Sequence, residues 1–126
     1  MKYIWLFLFL FTTISTFSQN IDFRGRTMIL KDPLPQNIVI EVSDTLMNKV
    51  EVIRHDNGAN KVQGFIFGYN DAGLFQSIKA NGEKIPIDHL KKALNGKTNK
   101  IYFNNMEIKY GFKTIKLSFI LRIIYH

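Results

Sequence analysis

The segment KIYFNNMEIKYGFKTIKLSFILRII, Lys100 to Ile124, decides the fold. Its last part carries an apolar residue at every second position: Ile115, Leu117, Phe119, Leu121 and Ile123. Side chains of a β-strand point alternately to its two faces, so this spacing predicts a strand with one apolar face. Ile120 and Ile124 add apolar groups to the other face. We therefore expect a central strand, or an edge strand that meets a partner.

The first part of the same segment is a second strand with a defect. Its apolar residues Ile101 and Phe103 are odd-numbered, whereas Met106 and Ile108 are even-numbered. A strand can change phase in this way by inserting one extra residue. We therefore predict a one-residue β-bulge at Asn104–Asn105.

Upstream, the strand Val62–Tyr69 has its aromatic residues on one face: Phe65, Phe67 and Tyr69. Gly64 and Gly68 lie on the other face and leave room for another backbone or a large side chain. The turn-forming sequence Asp56–Asn60 separates this strand from one in which Val50 and Val52 share a face. We expect these two strands to form a hairpin.

Only one stretch has a helical pattern. Leu90, Ala93 and Leu94 recur at helical spacing between Asp88, a favourable N-cap, and Gly96. The sequence therefore predicts a mainly β fold: a small antiparallel β-sandwich with one short helix near residues 88–95. With no cysteine and one-domain length, residues 19–126 would form a single domain that depends on core burial.

The first eighteen residues have the pattern of a secretory signal peptide. Lys2 gives a positive start, Tyr3–Phe11 is an unbroken apolar run, and small residues precede the junction Ser18–Gln19, where we expect cleavage. The run is shorter than the roughly 20 residues that a bilayer span needs. We predict a periplasmic or secreted product that contacts a membrane only through this leader, before cleavage.

The chain is basic, with a formal net charge of +7. Removal of the leader leaves about +6, which could attract an acidic partner or simply keep a small protein soluble. The lysines are scattered, and only Lys91 and Lys92 are adjacent. Because nucleic-acid binders usually concentrate their charge on one element, nucleic acid is not the expected partner.

No pattern in the sequence indicates catalysis, a metal or a cofactor. The histidines His55, His89 and His126 lack the spacing of metal ligands and are expected at the surface. No serine lies in a nucleophile motif. We predict no enzyme activity, no catalytic or metal-binding residue and no small-molecule cofactor. An enzyme would need two carboxylates, or His55 and a carboxylate, facing each other in a cleft.

The aromatic residues divide between core and surface. Phe65, Phe67 and Phe103 are expected in the core of a cysteine-free β-domain. A turn at Gly111 places Tyr110 and Phe112 at a hairpin tip. The predicted contact with a protein partner is therefore an exposed strand edge or this hairpin tip at Tyr110, Gly111 and Phe112.

Several short segments between roughly residues 60 and 123 carry a family resemblance: Val62–Phe65, Ala80–Gly82, Leu90–Lys97, Lys100–Met106, Gly111 and Ile115–Phe119. The resemblance is to the C-terminal domain of GldM-type proteins of gliding motility and type IX secretion. It implies an immunoglobulin-like β-domain that contacts other proteins of the bacterial cell envelope, and it offers no catalytic residues. Members of that family keep an N-terminal membrane helix, whereas cleavage is expected here.

Two functions follow from these patterns. The first is an exported, non-enzymatic β-sandwich that mediates protein–protein interaction in the cell envelope. The alternative is a basic binding module for an acidic polymer, either a glycan or a nucleic acid. Salt-sensitive affinity for such a polymer would favour the alternative.

Overall fold

A computed structural model describes residues 20–126. The expected leader and its cleavage point lie outside the described residues. Within that range the chain forms eight strands and two helices: β1 (Ile21–Arg24), β2 (Thr27–Leu30), β3 (Val39–Ser43), α1 (Asp44–Met47), β4 (Val52–His55), β5 (Lys61–Asp71), β6 (Leu74–Asn81), α2 (Ile87–Asn95), β7 (Lys100–Tyr110) and β8 (Lys113–Ile124).

The strands form two sheets, one of three strands in the order β1-β2-β4 and one of five in the order β3-β8-β7-β5-β6. The predicted fold class, a mainly β small sandwich, is confirmed. Strand β8 lies between β3 and β7, so of the two expected positions, a central strand or an edge that meets a partner, the structure shows the central one. The antiparallel prediction is wrong for two pairs, since β2 with β4 and β3 with β8 are parallel. Both pairs join strands distant enough in sequence to be linked by a crossover. The immunoglobulin-like connectivity stays a prediction.

The five-stranded sheet has an inner face, whose side chains join the core, and an outer face opposite to it. Phe67, Phe103 and Phe119 meet on the inner face and are at most 1% exposed. Phe103 stacks on Phe119 with ring centroids 5.1 Å apart and meets Phe67 edge-on at 5.8 Å. The predicted core positions Phe65, Phe67 and Phe103 are therefore confirmed.

The predicted bulge in β7 is confirmed. Phe103 lies opposite Phe119, but the next pair is Met106 with Leu117, so the register shifts between them. Asn105 takes a positive φ of 49° at this point. Its N–H donates to the Ser118 hydroxyl at 3.0 Å. The bulge thus returns Met106 to the core face after the phase change.

The predicted hairpin around Asp56–Asn60 is wrong. β4 pairs with β2 in the small sheet, whereas β5 lies in the large one, so this turn carries the chain from one sheet to the other. The side chains of β4 also face the opposite way from the predicted pattern, because Ile53 and His55, and not Val52, are its buried residues. A turn signal predicts a change of direction but not the sheet that the next strand joins.

The predicted helix is confirmed as α2, which ends at Asn95 before Gly96. Its N-cap is Pro86 and makes no side-chain hydrogen bond, so the expected capping by Asp88 is wrong. The one-turn helix α1 was not anticipated, since four residues show no periodicity. The Ser43 hydroxyl caps it by accepting from the Thr45 N–H at 3.0 Å.

Candidate functional site

A polar cluster surrounds His55 at the end of β4. Nδ1 of His55 accepts the Asn57 backbone N–H at 3.0 Å, so the neutral ring carries its proton on Nε2. Nε2 lies 2.7 Å from the Tyr110 hydroxyl oxygen and 3.2 Å from Oδ1 of Asp32. The Tyr110 hydroxyl donates to the same Asp32 oxygen at 2.8 Å. One network therefore connects the loop after β2 with the ends of β4 and β7.

The charges in this cluster favour a neutral phenol beside an ionised carboxyl. The hydrogen bond from Tyr110 is the main cause that lowers the pKa of Asp32. Burial, followed by the hydrogen bond to Asp32, raises the pKa of Tyr110. Each partner stabilises the protonation state that the other requires. Tyr110 is therefore a hydrogen-bond donor here, not a source of protons near neutral pH.

An imidazole beside a carboxylate contains two parts of an acid–base catalyst. The His55 side chain, however, is only 1% exposed, and both ring nitrogens are engaged by protein groups. A substrate atom could reach the ring only if Tyr110 moved away. The expectation of a surface histidine is wrong for His55, because the phase of β4 turns it inward. The geometry is that of a structural hydrogen-bond network.

The residues predicted to contact a partner at the β7–β8 tip have different surroundings in the structure. Gly111 has a positive φ of 58°, which makes the tight turn possible. Phe112 is fully exposed. Tyr110 instead directs its hydroxyl into the His55 cluster. Of the three predicted residues, Phe112 therefore offers the free apolar surface.

Strand β6 forms an open edge of the five-stranded sheet. The Gly82 N–H donates to the Gln63 carbonyl at 2.8 Å, which continues the β5–β6 register. Bonded and non-bonded pairs alternate in an antiparallel ladder, so every second residue of β6 bonds to β5. Phe75, Ser77 and Lys79 consequently direct their N–H and C=O groups outward. No described residue forms a backbone hydrogen bond to this outer side.

Other sheet edges are shorter or covered. The outer side of β4 is met by the segment after β6, where the Ile53 N–H donates to Glu83 O and the Ile85 N–H to Glu51 O. Strands β1 and β3 border one groove of about 260 Å³. β6 is eight residues long, contains no proline and exposes 68% of Leu74 and 52% of Phe75. It is the most accessible template for another strand.

The two glycines of β5 leave room for close neighbours, as predicted. The neighbour of Gly64 is a backbone group, and that of Gly68 is a side chain. A Cβ on Gly64 would lie 2.9 Å from the Ala80 carbonyl oxygen of β6. A Cβ on Gly68 would lie 2.6 Å from Cζ of Phe75. The Phe75 ring therefore rests over Gly68 on the outer face and meets Tyr102 edge-on, with centroids 5.3 Å apart.

Sequence reasoning missed Phe75 as a surface aromatic residue. A usable signal was present, since the turn Asn70–Gly73 brings Phe75 back beside β5. A glycine at position 68 then leaves space for a neighbouring ring.

Basic side chains that are distant from one another in sequence lie together on the outer face. Lys61 lies opposite Lys109, and Lys100 lies opposite Arg122. Between these pairs lies a groove of about 550 Å³. Its lining includes two lysines, three side-chain amides and one carboxylate: Lys79, Lys116, Gln63, Asn81, Asn105 and Glu107. The outer face thus combines positive charge with hydrogen-bonding groups.

Within residues 20–126, no group of three or more histidine and carboxylate side chains could hold a metal ion. No helix in this range is long and apolar enough to cross a membrane. The sequence matches no family model, no curated protein and no solved structure.

Proposed function

We propose that this chain is an exported, non-enzymatic β-sandwich that mediates protein–protein interaction in the bacterial cell envelope, similar to a GldM C-terminal domain. The open edge of β6 is the observation that carries the interaction role. The leader-like N-terminus and the GldM-like second half support the envelope setting. The same resemblance motivates a role beside gliding-motility or type IX secretion components.

The mode of binding is addition of a strand to β6. Phe75, Ser77 and Lys79 each present one outward N–H and one outward C=O. An extended segment of a partner would pair with these groups and gain backbone hydrogen bonds. Leu74 and Phe75 lie on opposite faces of the strand, so alternate side chains of the partner would cover them. The partner is therefore an extended peptide segment with apolar residues.

The test uses a proline that removes one outward donor. The N–H of Ser77 points away from β5, so Ser77→Pro removes this N–H without breaking a hydrogen bond between β6 and β5. Ser77→Ala keeps the N–H and is the matched control. A photo-cross-linking residue at position 74 reports neighbours of β6 in the producing cell. The same residue at position 49, beyond α1, reports neighbours of a different surface.

We expect position 74 to cross-link to a defined envelope protein that position 49 does not capture. That product should disappear in Ser77→Pro and persist in Ser77→Ala, while both variants unfold at similar temperatures. The proposal would be contradicted if the parent, Ser77→Pro and Ser77→Ala proteins all gave the same cross-linked product, or if positions 74 and 49 did. The edge would then not be the docking surface.

A further inference from the structure

We propose that the outer face of the five-stranded sheet binds an acidic polysaccharide. Exposed cations on this face lie on four neighbouring strands: Lys61, Lys79, Lys100, Lys109, Lys116 and Arg122. Its acidic side chains are Glu41 and Glu107, so positive charge dominates. This face adjoins the protein-docking edge: the polysaccharide would contact the side chains of Phe75 and Lys79, whereas strand addition uses the outward backbone groups of β6.

Like charges on this face lie directly opposite one another. Lys61 faces Lys109 across β5 and β7, a position at which like charges destabilise a sheet. Lys100 faces Arg122 across β7 and β8, and Glu41 compensates Arg122 at 3.4 Å. Among the described residues, neither Lys61 nor Lys109 has a carboxylate within salt-bridge distance. A bound polyanion would relieve this repulsion.

An apolar strip crosses the middle of the same face. Tyr102 lies opposite both Gly68 and Ile120, and Ile120 lies opposite Val39. Phe75 covers Gly68 and completes the strip. Aromatic side chains combine an apolar ring face with tolerance of nearby polar groups. The strip can therefore support the apolar face of a sugar ring while the lysines engage its acidic groups.

The groove beside the strip favours a glycan over a nucleic acid. Its amides on Gln63, Asn81 and Asn105 can donate to and accept from hydroxyl groups. Glu107 can accept a hydrogen bond from a sugar hydroxyl, and a polysaccharide carries many more hydroxyl groups than DNA does. A groove of about 550 Å³ is also within the size range of ligand sites. The combined chemistry fits a hydroxyl-rich, negatively charged chain.

The experiment measures binding of polygalacturonate, a carboxylated polysaccharide, to the protein recovered from expression of the full chain. Neutral dextran and a single-stranded DNA oligonucleotide are the comparison ligands. Lys79→Ala/Lys116→Ala removes both groove cations. Lys49→Ala/Lys91→Ala removes the same charge away from the outer face and is the matched control. Tyr102→Ala tests the apolar strip, and Ser77→Pro tests independence from the β6 edge.

We expect polygalacturonate to bind with an affinity that falls as salt rises. The groove double variant should bind about tenfold more weakly. Its slope of log affinity against log salt should decrease by about two. Tyr102→Ala should weaken the binding of polygalacturonate about fivefold. The control pair and Ser77→Pro should bind as the parent does, and dextran should not bind.

Three results would overturn the proposal. They are absence of polygalacturonate binding, equal losses in the groove and control variants, and tighter binding of DNA than of polygalacturonate. None of them bears on strand addition at β6, because that proposal is read from the position-74 cross-link. Conversely, loss of that cross-link with polygalacturonate binding intact would separate the two surfaces.

Discussion

The two faces of the five-stranded sheet use aromatic residues in opposite ways. On the inner face, Phe103 stacks on Phe119 at 5.1 Å and both are buried. On the outer face, Tyr102 meets Phe75 at 5.3 Å, and Phe75 remains 52% exposed. Tyr102 and Phe103 are neighbours in sequence, so strand phase alone separates their environments. The difference indicates that the inner rings stabilise the fold, whereas the outer rings are available for recognition.

Removal of an inner ring should produce the largest effect. Phe103 is fully buried and contacts both Phe67 and Phe119. Phe103→Ala should lower the free energy of unfolding by about 3–5 kcal/mol, through lost burial and the cavity left behind. Denaturant unfolding measures this loss. Tyr102→Ala on the outer face is the control and should cost less than half as much, so equal losses would remove the distinction between the faces.

The two glycines of β5 provide a smaller and sharper comparison. Gly64→Ala brings a methyl group against a backbone carbonyl, which cannot rotate away, and should cost about 1–3 kcal/mol. Gly68→Ala meets the ring of the exposed Phe75, which can swing aside. Its loss should stay within about 0.5 kcal/mol. Thermal and denaturant unfolding of the two variants, measured together, would contradict this account if Gly68→Ala were the more damaging change.

Loss of one hydroxyl in the His55 cluster should destabilise the fold much less than loss of an inner ring. Tyr110→Phe removes the hydroxyl that donates to Asp32 and should cost about 1 kcal/mol near neutral pH. Tyr102→Phe is the control, since no hydrogen bond engages its hydroxyl among the described residues.

The dependence on pH gives a second readout of this cluster. The pKa of Tyr110 is raised in the folded chain, so its contribution is present below the unfolded pKa of about 10 and is lost as pH rises further. The pKa of Asp32 is lowered, so its contribution is present above the unfolded pKa of about 4 and is lost as pH falls. Tyr110→Phe should flatten both limbs of the stability profile. Unchanged slopes in this variant would show that the hydrogen bond does not couple the two groups.

Periodicity predicted the local structure well where strands are long. The apolar residues of β8 predicted a central strand or an edge that meets a partner, and the phase slip at Asn104–Asn105 predicted the bulge. The strands β1 and β4 have only four residues each, which is too few for the sequence pattern to show which side chains face the core. For β4 this error also concealed the burial of His55, and with it the link to Tyr110. Pairing across the two sheets depends on tertiary packing, which a turn signal does not encode.

The basic face could not be predicted from charge spacing along the chain. Lys61 and Lys109 are distant in sequence and become neighbours only through the register of β5 with β7. Period-two alternation predicts that a lysine leaves the core face, but not which other lysines it joins. The hairpin tip illustrates the same limit, because Phe112 is exposed as a tip residue should be, whereas Tyr110 contacts segments that the sequence does not place nearby.

The most direct test of the central claim is amide hydrogen exchange along β6, measured residue by residue in the isolated protein. The N–H groups of Ser77 and Lys79 should exchange quickly because they point away from β5. Those of Ile78 and Ala80 bond to β5 and should exchange at least about a hundredfold more slowly. Equal protection at all four positions would show that the outer side of β6 is already paired, and would contradict an edge available to a protein partner.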